Sequence, residues 1–244
     1  MSAWLDFHSR SPAPIIIGHR GAPEAVLENT RASFSFALEA GAGSIEADVR
    51  LTADRQCVSL HDRDLLRVAG VAHRIEDLSL QEARKLFPAL LPLPDLLDLT
   101  AGRPIIIDLK CTGADELDRI VDTCRDALER ILFTTHDVAS GHAVRSRSAS
   151  VAIGAFFDTG ADAFRIAGDF GASWIRVLPK DYTREKIAAL KDAGFRAIAV
   201  AAPTSSFRTS TDGRSLSEIH AVGIDAIITD DPALAVRHFT LAAV

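Results

Sequence analysis

Hydrophobic positions along the chain alternate between short continuous apolar runs and longer stretches with helical spacing. Ile15-Ile16-Ile17-Gly18 is such a run, typical of a strand buried on both faces in a parallel sheet. A loop through Pro23 leads to a helix capped at Asn29 or Thr30, with Phe34, Ala37 and Leu38 as its apolar stripe and an end near Gly41. Residues 46 to 62 then alternate about a polar Asp54-Arg55 turn, which predicts a β-hairpin. A turn centred there sets Asp48 opposite His61, with Val49, Leu51, Val58 and Leu60 on one face and Glu46, Asp48, Ser59 and His61 on the other.

A less regular stretch follows, with helix starts at Ser79 and Leu93, and reads as a small insertion over 63–103 in the second βα unit. From Pro104 the rhythm becomes regular. Strands are expected at Ile105–Ile107, Ile131–Thr135, Val151–Phe156, Ser173–Leu178, Arg196–Ala201 and Ala226–Thr229. Helices are expected over about Ala114–Arg130, Thr183–Ala193 and Ser215–Val222, with a last one after Pro232. Leaving aside the second hairpin strand, eight strands alternate with helices, so the expected fold is an α/β (β/α)8 TIM barrel with one added hairpin strand. Residues 1–14 read as a lead-in and 15–244 as one domain. A doubly wound sheet is the competing layout, but the glycine-rich turn after its first strand is missing.

Of 244 residues, 48% are hydrophobic, enough for one substantial core, and the net charge of −6 without a dense basic block gives no reason to expect nucleic acid. Cys57, Cys111 and Cys124, an odd number without metal-ligand spacing, are expected as free packing thiols. No apolar run approaches the ~20 residues of a membrane span, and the expectation is a cytoplasmic protein, with a homo-oligomer left open.

In a (β/α)8 barrel the C-terminal strand ends share one rim, and there this chain concentrates polar residues. His19 and Arg20 end the first strand; Glu46 and Asp48 lie on the second, His61 on the ribbon, Asp108 and Lys110 on the third. Residues two apart project to one side of a strand, so Glu46 and Asp48 form one pair and Asp108 and Lys110 another. Three carboxylates without a Cys or His-rich cluster favour a hard divalent ion, Mg2+ or Ca2+, with Mn2+ as an alternative. Arg20 and Lys110 suit an anionic substrate, and two histidines flanking an ion suit general acid and base work. Taken singly, each has a structural reading: Glu46 and Asp48 as partners of Arg50 or Arg63, Asp108 with Lys110 as a part-buried ion pair.

The chain resembles glycerophosphodiester phosphodiesterases, through His19-Arg20-Gly21, Glu28-Asn29-Thr30, Glu46-x-Asp48, Thr52-x-Asp54 and His61-Asp62. The likeness continues in Leu93-Pro-Asp-Leu-Leu, Asp108-x-Lys110 and Gly223-Ile-Asp-Ala-Ile-Ile-Thr-Asp230-x-Pro232. It implies a phospholipase C-like barrel that cleaves a small glycerophosphodiester to glycerol 3-phosphate and an alcohol. His19 and His61 would be acid and base, and Glu46, Asp48 and Asp108 would hold the metal. Arg20 and Lys110 would bind phosphate, with Glu28, Asn29 and Asp62 in support.

The chain departs from the family pattern at three places. Asp108 stands where the family usually has Glu, a feature shared with sphingomyelinase D enzymes. Ala199-Val-Ala-Ala202-Pro203 replaces a Trp-Thr-Val-Asn run. Thr135-His136-Asp137 replaces Ser-Phe-Asp, adding a rim histidine read as structural. The alternatives are a lipid-directed phosphodiesterase of lysophospholipase D or sphingomyelinase D type, which would need an apolar rim patch, and a non-catalytic phosphodiester-binding barrel.

Overall fold

The computed structural model describes Trp4 and residues 13–156, 163–201 and 216–241. Eight parallel strands close on themselves: β1 (Ile15–His19), β2 (Ser44–Leu51), β3 (Ile105–Leu109), β4 (Ile131–Thr135), β5 (Ala152–Ala155), β6 (Trp174–Val177), β7 (Arg196–Val200) and β8 (Ala226–Thr229). The seam closes where β1 pairs with β2 on one side and β8 on the other. The expected (β/α)8 TIM barrel is therefore the observed fold. Of the expected strand-seven stretch, Ala202 and Pro203 lie outside the described residues, as does Ser215 at the start of the helix expected over Ser215–Val222.

The apolar runs form strands because both faces are covered. Inside the cylinder, Ile17, Ile106, Leu132, Trp174, Ile198 and Ile228 make a core of their own. Outside it, alternate residues such as Ile45, Ile107, Phe133 and Ile175 meet the helices. Trp4, in the lead-in, joins the inner core. Its ring is fully buried, meets Trp174 edge to face at 5.6 Å, and donates from Nε1 to the Ile105 and Arg130 carbonyls. It closes the mouth at the N-terminal strand ends.

Local signals place the helices closely. Thr30 caps Arg31–Glu39, its hydroxyl accepting from the Ser33 N–H, and Ser79 and Glu82 form a capping box on Leu80–Leu86. The helix expected over Ala114–Arg130 instead stops at Thr123 and continues as a 3₁₀ segment, Arg125–Arg130. Buried Cys124 sits at the break, where the chain turns back toward β4.

The hairpin register differs from the expected one by a single residue. The loop has three residues, Ala53-Asp54-Arg55, with Thr52 N–H bonded to the Gln56 carbonyl and Arg55 left-handed at φ 59°. Val49 therefore pairs with Ser59, and Leu60, not His61, bonds to Asp48. The slip turns Val58 and Leu60 away from Val49 and Leu51 and into a second small core with Leu65, Ile75 and Phe87, beneath the 63–103 stretch. That stretch carries a two-stranded ribbon and short helices, and its strand Leu91–Pro92 pairs with Cys57–Ser59. Among the described residues, no helix is long and apolar enough to cross a membrane.

Candidate active site

Period-two alternation carries the inward face of each strand from the apolar core to the C-terminal mouth. Two residues beyond Ile17 comes His19, beyond Ile106 comes Asp108, beyond Leu132 comes Thr134, and beyond Ile228 comes Asp230. On β2 the same face gives Glu46 and Asp48. The resulting cavity holds about 360 Å3 and is lined by all seven rim residues expected from the sequence: His19, Arg20, Glu46, Asp48, His61, Asp108 and Lys110.

The turn after β1 is built for close approach. A side-chain carbon at Gly18 would overlap the Gly21 carbonyl and the Ala37 methyl. Arg20 and Asn29 both adopt left-handed backbone, at φ 52° and 55°. That conformation points the Arg20 N–H at Glu46 Oε2, 2.9 Å away, and brings its Nε within 3.2 Å of Asp48 Oδ2. Asn29 grips Asp48 twice, donating from Nδ2 to Oδ2 at 2.8 Å and accepting the Asp48 N–H.

Glu46, Asp48 and Asp108 are buried and each offers a carboxylate oxygen within 4.8 Å of the others. Burial, then the neighbouring Asp48 and Asp108, pushes the Glu46 carboxyl well above its ordinary value. Burial acts in the same direction on the other two acids but is outweighed. Lys110 and Arg20 hold Asp48 low, and Lys110 and His136 hold Asp108 low. Lys110 Nζ lies 2.5 Å from Asp108 Oδ2 and 3.2 Å from Asp48 Oδ1. A close group of three hard oxygen donors, one of them reluctant to ionise without a nearby cation, fits a divalent metal. Neither structural reading of Glu46 and Asp48 holds: Arg50 donates to the His61 and Lys110 carbonyls, and Arg63 pairs with Glu76.

Each flanking histidine is held by a carboxylate through Nδ1. His19 meets Asp230 at 2.6 Å, and His61 meets Asp62 at 2.7 Å. His61 reaches the cavity from just past the ribbon strand, not across the ladder as expected. Burial lowers its pKa below the ordinary 6.5.

Several contributors were not picked out from the sequence. Arg67 donates to Asp62 and, through both terminal nitrogens, to Glu28, which also accepts from Arg20. This arginine lies in the 63–103 stretch, where no local pattern marks it. His136, read as structural, places Nε2 at 2.8 and 3.0 Å from the two Asp108 oxygens, and Thr134 donates to Asp108 as well. Asp230 lay in the motif closing the resemblance, but nothing in its spacing tied it to His19.

Residues 19–103 match the glycerophosphoryl diester phosphodiesterase family. A Mycobacterium tuberculosis relative is 41% identical over 73 residues, a match spanning 30% of this chain and only 27% of that protein. A glycerophosphodiester phosphodiesterase of Caldanaerobacter subterraneus subsp. tengcongensis is 24% identical over 238 residues, covering 89% of this chain and 94% of its own. The same barrel is seen in an Oleispira antarctica phosphodiesterase solved with its product sn-glycerol-3-phosphate, at TM-score 0.81 and 19% identity over 93% of this chain and 97% of that one. The chain is thus similar to glycerophosphodiester phosphodiesterases in its motif-bearing first half and, at lower identity, along nearly its whole length, and it shares the barrel fold of the solved members.

Proposed function

We propose that this protein is a metal-dependent hydrolase of small glycerophosphodiesters, releasing sn-glycerol 3-phosphate and an alcohol. The observation that carries the reading is the placement of two carboxylate-anchored imidazoles in one cavity with a buried three-acid cluster. Glu46, Asp48 and Asp108 would hold the ion, which when bound supplies a Lewis acid for the phosphoryl oxygens. Arg20 and Lys110 offset the charge of the acids and bind the non-bridging oxygens of the diester.

Asp230 and Asp62 orient the two rings, leaving proton transfer to the opposite ring nitrogens. One imidazole takes the proton of the attacking hydroxyl as its oxygen bonds to phosphorus. The other protonates the alcohol oxygen as its bond to phosphorus breaks. With water as the net reactant, atoms and charge balance. Glu28 and Asn29 brace Arg20 and Asp48.

The test is a phosphodiester panel assayed with Mg2+, Mn2+ and Ca2+ on the wild type, His19→Ala and His61→Ala. Metal-dependent release of glycerol 3-phosphate, reduced ~10²–10⁴-fold in each variant, is expected. Full activity after removal of divalent ions with EDTA would disprove the metal role, and binding without turnover across the panel would point to a sensor.

A further inference from the structure

We propose that Arg50 is a positioning residue that fixes His61 and Lys110 relative to one another, tying the proton-transfer group to the phosphate-binding one. This rests on the hydrolase reading above and deepens it with a residue outside the reaction cavity. Arg50 is half-buried and lines a neighbouring cavity of about 290 Å3; among the described residues, the two cavities share only Lys110.

Strand β2 lies between the ribbon strand on one side and β3 on the other. Its backbone fixes the start of each neighbour's exit from the sheet. The Asp48 carbonyl accepts from the Leu60 N–H at 3.1 Å, and the Val49 carbonyl from the Lys110 N–H at 3.2 Å. The ladders end there. The ribbon strand closes at Ser59 and β3 at Leu109, so the carbonyls of His61 and Lys110 lie past the last strand pairing and need another donor. Arg50 serves both: Nε donates to the His61 carbonyl at 2.7 Å and Nη1 to the Lys110 carbonyl at 3.1 Å.

Lys110 is thereby held at its N–H and at its C=O, and the chain at His61 is held at the preceding N–H and at its own C=O. With the main chain pinned on both sides of each side chain, the imidazole enters the reaction cavity and the ammonium reaches Asp48 and Asp108 from fixed points of departure.

A guanidinium suits this task because its donors share one rigid plane, so neither carbonyl can move without straining the bond to the other. A lysine ammonium on its flexible stem cannot reproduce that fork. Proton transfer and phosphate binding act on the same diester, and a displacement of about 1 Å between such groups can cost ~10²-fold in rate.

The test uses steady-state kinetics on glycerophosphoglycerol, glycerophosphoethanolamine and glycerophosphocholine with the most effective of Mg2+, Mn2+ and Ca2+. Wild type, Arg50→Lys and Arg50→Met are compared, and each Arg50 variant is also combined with His61→Ala or Lys110→Ala. Arg50→Met should lower kcat ~10- to 100-fold while its circular dichroism spectrum matches wild type, and Arg50→Lys should recover part of the loss. The loss should be smaller in each combined background, because one of the two groups that Arg50 positions is gone. A kcat within about twofold of wild type overturns the proposal, as does a loss of equal size in every background, which a mere brace of the fold would give. Should Arg50→Met not fold, Arg50→Lys is read by the same comparisons. If the wild type turns over none of the three diesters, the hydrolase reading fails. Nitrogen-15 NMR of the Mg2+-loaded protein then decides the present proposal: displaced signals of both the His61 ring and the Lys110 ammonium in the Arg50 variant support it, and displacement of one or neither overturns it.

Discussion

His19 Nδ1 lies 2.6 Å from Asp230 Oδ1, joining the last residue of β1 to the residue that follows β8 across the seam of the barrel. The carboxylate is buried, and in the proposed mechanism it holds the Nδ1 proton and leaves the opposite nitrogen for proton transfer. Asp230→Asn preserves the shape and removes that charge. We expect kcat to fall ~10²–10⁴-fold with KM changed little, checked by steady-state kinetics beside a circular dichroism spectrum that matches wild type.

Arg67 should act on His61 at one remove. It donates from Nε to Asp62 Oδ2 at 2.6 Å and forks onto Glu28, tying the 63–103 stretch to both Asp62 and Arg20. Arg67→Ala is expected to lower kcat about 10-fold, and Arg67→Lys, which cannot fork, to recover only part. The loss of stability should be small, ~1 kcal/mol or less, because the side chain is 45% exposed. A second readout is Asp62. Burial would raise its carboxyl, but hydrogen bonds from Arg67 and His61 bring it down to about 2. An NMR titration should find it nearer the ordinary 3.8 in Arg67→Ala.

Glu46 contributes a pH dependence to the stability of the protein without divalent ions. Its carboxyl is raised in the fold, so its favourable share of stability is complete below the ordinary 4.5 and is lost as pH climbs through the raised value. Without divalent ions, Glu46→Gln should melt higher than wild type at pH 8, with the gap shrinking toward pH 5. Added Mg2+ or Ca2+ should raise the wild-type melting temperature more at pH 8 than at pH 5, and should have little effect on Glu46→Gln. Melting curves with the opposite pH trend would count against a cation at these acids.

Trp4 separates stability from chemistry, since it fills the mouth opposite the cavity. Its buried indole makes two hydrogen bonds to backbone carbonyls. Trp4→Ala should cost about 3–5 kcal/mol by denaturant unfolding, and at temperatures where the variant remains folded its kcat should stay within about twofold of wild type.

Which features could be read in advance follows from the range of the forces behind them. Runs such as Ile105–Ile107 and Ile131–Phe133 announce strands because both of their faces meet apolar neighbours, and an acid two residues from another at Glu46 and Asp48 fixes a shared face. Local chemistry also marked the caps at Thr30 and Ser79. The hairpin slip escaped because Arg55 takes a left-handed turn position with neither Gly nor Asn to signal it. Trp4 escaped as one aromatic in a Ser- and Pro-containing segment. Arg67 and His136 find their neighbours through tertiary contacts, and no spacing within a single element reveals those.

The seam between β1 and β8 has a consequence for the order in which competence arises during synthesis. A growing chain that has emerged as far as β7 already contains the three acids, both imidazoles and the cations Arg20 and Lys110. It still lacks a closed cylinder, and His19 lacks its counterpart from beyond β8. On the proposed hydrolase reading, activity should therefore appear late and abruptly, when the eighth strand docks and His19 meets Asp230.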